Sequence, residues 1–186
     1  MPEYALIVTD VQEGFTRQGN LASPACTAAI PRIVEVIERA FDDGVPVIFT
    51  KDSHVEKDLE FEMFPPHCIV GTPEHDLVDE LRRFEPRAAA VIHKTRYSAF
   101  FRTDLEQVLQ DLGVREVRII GFCTDICVLH TTSDLRNRDY AVTVLGDACE
   151  TFDAPGHDHA EVNAWALGHI EKILGAKVLA GSPAGE

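Results

Sequence analysis

The chain has 186 residues, room for one domain with a sizeable core, and its 45% apolar and 26% charged residues are the balance of a water-soluble globular protein. A formal net charge of −14 excludes the basic surface that a nucleic acid or an anionic membrane would need. No run approaches the roughly 18 apolar residues of a membrane span, no basic stretch precedes the first apolar run as in a secretory signal, and five cysteines without zinc-finger spacing fit a reduced cytoplasmic compartment.

In chain order, "YALIVT" (4–9) is a short β-branched run that stops at Asp10 and predicts a first strand. Residues 30–44 carry helical spacing at Ile33, Val36, Ile37 and Phe41, with Pro31 suited to a first turn and Gly44 to the stop. A second strand over 45–50 leads into a polar loop over 51–72, and a helix is expected over 74–84. "AAAVIH" (88–93) is the third strand. The helix at 103–113 opens on a capping box, Thr103 with Glu106, and closes on Gly113. A fourth strand (116–122), a helix from 125 to about 137, a fifth strand (141–147), a helix over 156–173 and a last strand (176–180) complete the pattern.

This alternation predicts a three-layer αβα domain over residues 1–180, built on a doubly wound, mainly parallel sheet of about six strands. "GSPAGE" (181–186) reads as a flexible tail. Right-handed crossovers put every strand's C-terminal end on one edge, where such sheets bind ligands.

Asp10, Lys94 and Cys127 follow the first, third and fourth strands, so this topology predicts that they converge. A thiol at a helix N-terminus loses its proton more readily, and a nearby Lys94 would help further. Asp10 would take the thiol proton, and exposed N–H groups would hold an oxyanion. That set suits attack on an amide carbonyl through a thioester. Singly, each residue has a commoner fate: a buried cysteine packs, a strand-end aspartate caps a turn, and a lysine is solvated.

The polar loop holds a second cluster. Asp52, His54 and His67 are ligand types suited to a divalent metal, zinc first, with iron or manganese as alternatives. Phe15 and Phe64 are placed to sandwich a flat ring, although packing is the commoner role of phenylalanine.

Together, "IVTDVQEGF", "HKTRYSAF" and "GFCTDICVLHTTSDLRNRDYAVTVLGDAC" resemble the motifs of the isochorismatase-like cysteine hydrolase superfamily, nearest its nicotinamidase branch. The resemblance implies an Asp10–Lys94–Cys127 triad, a cis peptide between Phe122 and Cys123, and an oxyanion held by the backbone N–H groups of Cys123 and Cys127. It implies a small amide substrate, with Phe122 and Cys123 joining Phe15 and Phe64 in binding it, and assembly as a homodimer or homotetramer. "DSH" and "FPPHC" resemble the branch's metal loop, which implies a metal on Asp52, His54 and His67 holding the ring nitrogen of a pyridine substrate; the branch's further ligand has no clear match here, Glu60 and Glu62 being the residues in reach. The loop is shorter than usual, Phe64 stands for a tryptophan, and Glu13 and Gly14 replace the usual residues after Gln12. The alternatives are a hydrolase of the same superfamily acting on ureido or carbamoyl compounds, and a thiol redox sensor or binding module using Cys123 and Cys127.

Overall fold

In the computed structural model, which describes residues 3–179, six strands form one sheet. They are β1 (Tyr4–Thr9), β2 (Val47–Asp52), β3 (Ala90–Lys94), β4 (Glu116–Phe122), β5 (Ala141–Glu150) and β6 (Lys177–Leu179). Their order is β3-β2-β1-β4-β5-β6, and every neighbouring pair is parallel. This is the doubly wound arrangement that the alternating pattern predicts. The expected tail at 181–186 lies outside the described residues.

The strands are apolar on both faces because helices cover both. Leu6 and Val8 of β1 face one side, and Ala5 and Ile7 the other. Helix α1 (Pro24–Asp42) seals the first side with Ile30, Ile33 and Ile37, joined by Leu81 of the single turn α2 (Asp79–Arg82). Helices α3 (Leu105–Leu112), α4 (Leu129–Arg136) and α5 (His159–Lys172) seal the second with Leu105, Leu109, Leu135 and Ile170. Each such side chain contributes roughly 1.5–3 kcal/mol on full burial. No helix among the described residues is long and apolar enough to cross a membrane.

Three sequence expectations need correction. Helix α1 begins at Pro24, ahead of position 30, because Ser23 caps it by accepting the Cys26 N–H and Pro24 suits the first turn. The expected helix over 74–84 is broken into a 3-10 turn, the single turn α2 and a second 3-10 turn. Its backbone is recruited elsewhere: the Asp76 carbonyl accepts the Glu13 N–H, and the Val78 N–H donates to the Val11 carbonyl. The capping box at Thr103 does not close. The Thr103 hydroxyl accepts from the Leu105 N–H and donates to the Ala99 carbonyl, while Glu106 pairs with Arg138.

One glycine is demanded by close approach. Gly121 sits at φ +113°, and a Cβ there would lie 2.1 Å from the Thr9 carbonyl oxygen of the neighbouring strand. Gly121→Ala is expected to lower stability by about 3 kcal/mol, through positive φ and a backbone clash at the centre of the sheet. Urea unfolding checks this, and an unchanged midpoint would contradict it.

Candidate active site

Asp10, Asp52, Lys94 and Cys127 meet at the C-terminal edge of the sheet, where β1 and β4 adjoin and the strand order reverses. Asp10 follows β1 in a left-handed conformation (φ +50°) that aspartate tolerates better than most residues. Its N–H donates to the carbonyl and the hydroxyl of Thr50, and the Thr50 hydroxyl donates back to Asp10 Oδ1 at 2.6 Å. Asp52 and Lys94 are register partners at the end of the β2–β3 ladder. Cys127 lies in a π turn (Thr124–Val128) that leads into α4, where the Ile126 and Val128 N–H groups both donate to the Cys123 carbonyl. The peptide between Phe122 and Cys123 is cis.

The Lys94 ammonium is the hub. Its Nζ lies 2.7 Å from Asp10 Oδ2, 2.5 Å from Asp52 Oδ1 and 3.4 Å from Cys127 Sγ, and the side chain is fully buried. Burial disfavours its charge, but Asp10 and Asp52 hold its pKa well above the ordinary lysine value. Burial pushes the Asp10 carboxyl up to about 6, against the pull of Lys94. For Cys127 burial also wins: its pKa stands well above the ordinary thiol value although Lys94 lowers it. This corrects the expectation of a thiol acidified by the helix end and Lys94. At neutral pH the proton rests on sulfur, and a carboxylate oxygen of Asp10 lies within 4.8 Å of that sulfur as the acceptor.

A pH dependence follows. An acceptor that titrates near 6 is ionised above that value and protonated below it. The ratio kcat/KM is therefore expected to fall about tenfold per pH unit on the acid side of about 6. A profile flat down to pH 5 (about one unit below that value) would contradict Asp10 as the base.

A second buried cluster adjoins the first. The donor atoms of Asp52, His54, Glu60 and His67 all lie within 4.8 Å of one another. His54 Nε2 is 3.9 Å from Asp52 Oδ1 and 3.8 Å from Glu60 Oε1, and His67 Nε2 is 3.9 Å from both Asp52 Oδ2 and Glu60 Oε1. These gaps are too long for hydrogen bonds and of the order spanned by donors sharing one cation at roughly 2.0–2.2 Å. His54 Nε2 and Glu60 Oε2 are buried without a hydrogen-bond partner.

The outer bonds set the tautomers. His67 Nδ1 donates to the Pro65 carbonyl at 2.8 Å, and burial holds this ring's pKa below the ordinary value, so Nε2 presents a lone pair. His54 Nδ1 lies 3.1 Å from Asp58 Oδ2, and Arg96 steadies Asp58 at 2.7 Å. Burial, with nearby Asp52 adding, pushes the Glu60 carboxyl up to about 7, which marks a shortage of positive charge. Two imidazoles and two carboxylates with these features fit a divalent metal. Asp52 belongs to both clusters.

Both clusters open onto one narrow pocket, a cleft of about 20 Å³. Phe15, Phe64, Cys123 and Cys127 line it as expected, together with Asp52, Glu60 and His67. Leu21, Tyr97, Ile126 and Phe152 also line it, and the sequence reading does not include them. No lysine or arginine is among its lining residues. Phe122 is not brought into the pocket: it is fully buried with Ile120 in the α1-side core. Cys123 and Cys127 are both free thiols at this wall of the pocket. A larger groove lined by Arg17, Ile30, Glu80 and Arg83 contains neither the triad nor the metal-type cluster.

Gln12 is a further residue the chemistry leans on. Its amide accepts the Asp52 N–H at 2.7 Å and donates to the Asp52 carbonyl at 3.0 Å and the His75 carbonyl at 2.9 Å. It therefore fixes the main chain of the residue the two clusters share. The "DVQ" spacing puts it just past the strand end, but only tertiary contact reveals its partners.

The isochorismatase domain model matches residues 4–169. An isochorismatase family protein, PncA, of Bacillus subtilis is 39% identical over 155 residues, covering 78% of this chain and 81% of that protein. A crystal structure of the nicotinamidase PncA from Bacillus subtilis superposes with a TM-score of 0.84 at 32% identity, covering 96% of this chain and 99% of that one. The pyrazinamidase of Pyrococcus horikoshii, crystallised in complex with zinc, matches equally well (TM-score 0.84, 32% identity), covering 97% of this chain and 100% of that one. With this fold, these strand-end motifs and these relatives, the chain belongs to the isochorismatase family, in its nicotinamidase-like branch of amidohydrolases acting on C–N bonds.

Proposed function

We propose that the chain hydrolyses a small, uncharged aromatic amide, nicotinamide as the simplest case, to the carboxylate and ammonia through a thioester on Cys127. The observation that carries this reading is that Asp52 joins the Asp10–Lys94–Cys127 set to the Asp52–His54–Glu60–His67 set, and both face one pocket. Asp10 takes the proton from Cys127 Sγ as sulfur attacks the amide carbon. The backbone N–H groups of Cys123 and Cys127 hold the oxyanion. Asp10 then hands the proton to the leaving nitrogen, and ammonia departs. Water enters, gives a proton to Asp10 as its oxygen attacks the thioester carbon, and the acid leaves as Asp10 returns that proton to the Cys127 sulfur. Throughout, Lys94 keeps Asp10 and the developing thiolate compensated in a site closed to solvent.

Asp52, His54, Glu60 and His67 would hold a divalent cation, zinc by analogy with the Pyrococcus horikoshii structure, with iron and manganese compatible with the same donors. Such an ion would bind the ring nitrogen of the substrate and so orient its amide. Phe15 and Phe64 flank the ring. The pocket's aromatic and acidic lining disfavours a substrate that carries its own carboxylate, which sets a carbamoyl amino acid below a neutral aromatic amide.

The test is ammonia release from nicotinamide by zinc-loaded and chelated protein side by side. Release from the loaded sample at least about tenfold faster is expected, since losing oriented binding costs at least that much. Equal rates would remove the metal from the account. No release from folded protein whose Cys127 still reacts with iodoacetamide would remove nicotinamide.

A further inference from the structure

Phe152 forms part of the pocket wall, yet it belongs to neither cluster and follows the end of β5. Beyond it the chain makes a tight turn. Ala154 and His157 exchange two backbone hydrogen bonds at 2.9 and 2.8 Å, and Gly156 takes the positive φ that the reversal needs. Asp153 accepts the His159 N–H, and Asp158 caps α5 by accepting the Glu161 N–H. The turn thereby presents one side chain, His157, inward.

His157 has partners of one kind only. Nδ1 lies 2.8 Å from the Phe152 carbonyl oxygen, and Nε2 lies 3.0 Å from Asp125 Oδ2. A carbonyl can only accept, so Nδ1 carries a proton. A carboxylate can only accept, so Nε2 carries one as well. A neutral imidazole has one proton for two such partners. The pairing is therefore satisfied by the imidazolium, stacked on the Phe152 ring at 4.4 Å and 8°. Asp125 completes the bridge: its other oxygen accepts the Thr151 hydroxyl at 2.6 Å, and it sits on the π turn two residues before Cys127.

We propose that His157 is a positioning residue that sets the pocket's aromatic selectivity, as a doubly protonated bridge clamping Phe152 to Asp125 on the nucleophile turn. The clamp ties one wall of the pocket to the turn that carries the nucleophile, so the ring-binding surface and the attacking sulfur keep a fixed separation. A raised imidazole pKa agrees with this: burial disfavours the charge, but the bond to Asp125 outweighs it. The inference rests on the reading that the ring of the substrate lies in the Cys127 pocket.

The test has two parts, neither of which needs the natural substrate. In the unmodified protein at neutral pH, imidazole 15N shifts should show both His157 nitrogens protonated. Asp125→Asn should return the ring to a neutral Nδ1–H form, because an amide can donate to Nε2. A neutral His157 in the unmodified protein would overturn the bridge. The second part compares Cys127 alkylation by an aromatic haloacetamide (iodoacetanilide) and by iodoacetamide. His157→Leu is expected to lower the aromatic preference about three- to tenfold, the scale of one lost aromatic contact. His157→Asn, which keeps a donor for the Phe152 carbonyl, should lose less. An unchanged preference in both variants would overturn the positioning role. Should the unmodified protein fail to hydrolyse nicotinamide, the substrate assignment falls while both readouts still decide the clamp.

Discussion

Cys127→Ala is expected to lower amide turnover by at least about 10⁴-fold, the scale seen when a covalent nucleophile is removed. The groups that activate a nucleophile are gathered at Cys127: Lys94 Nζ lies 3.4 Å from its sulfur and 2.7 Å from Asp10 Oδ2. The same substitution should leave the fold in place, since it removes one sulfur atom and keeps the Lys94 ion pairs with Asp10 and Asp52. Ammonia release and a thermal melt, measured together, separate the two effects. Turnover within about tenfold of the unmodified protein, with the melt unchanged, would mean that Cys127 is not the nucleophile.

Lys94→Met should damage both stability and chemistry. The methionine fills similar volume but leaves Asp10 and Asp52, both buried, facing each other without a cation. Breaking a buried pair by removing one partner costs about 3–5 kcal/mol, because a charge is left uncompensated. Part of that cost is escaped by protonation, and burial already drives Asp10 that way. Its pKa would rise from about 6, so the base would be occupied by a proton at neutral pH. A loss of about 10³-fold in kcat/KM is expected, with the acid limb of the pH profile moved to higher pH. Denaturant unfolding of the chelated protein reads the first effect and the profile reads the second. A variant as stable as the parent, with its acid limb in place, would contradict the central position given to Lys94.

Much of this was legible in the sequence because strand ends are the best-marked points in an α/β chain. The β-branched runs stop at Asp10, Lys94 and Cys123, and parallel topology alone brings those stops to one edge. The metal-type residues were legible through ligand chemistry in one short loop. Glu60 completes that set because the 3-10 turn Leu59–Glu62 folds it back over His54. What stayed hidden depends on long-range partners. The segment 74–84 has helical spacing, yet bonds to Glu13 and Val11 from the loop after β1 pull it apart. The resemblance implies Phe122 in the pocket, but at the end of β4 it packs with Ile120 in the α1-side core. Gln12, Tyr97 and Phe152 carry no local signal of their roles. Position alone suggests an acidic Cys127, through a helix end and a cation, whereas only the folded structure shows the depth of burial that outweighs them.

The most direct measurement is an acid-quenched single turnover of nicotinamide, followed by peptide mass spectrometry. A nicotinoyl thioester is expected on the peptide carrying Cys127, absent from the Cys127→Ala protein. Turnover that places the acyl group on another residue, or on none, would contradict it.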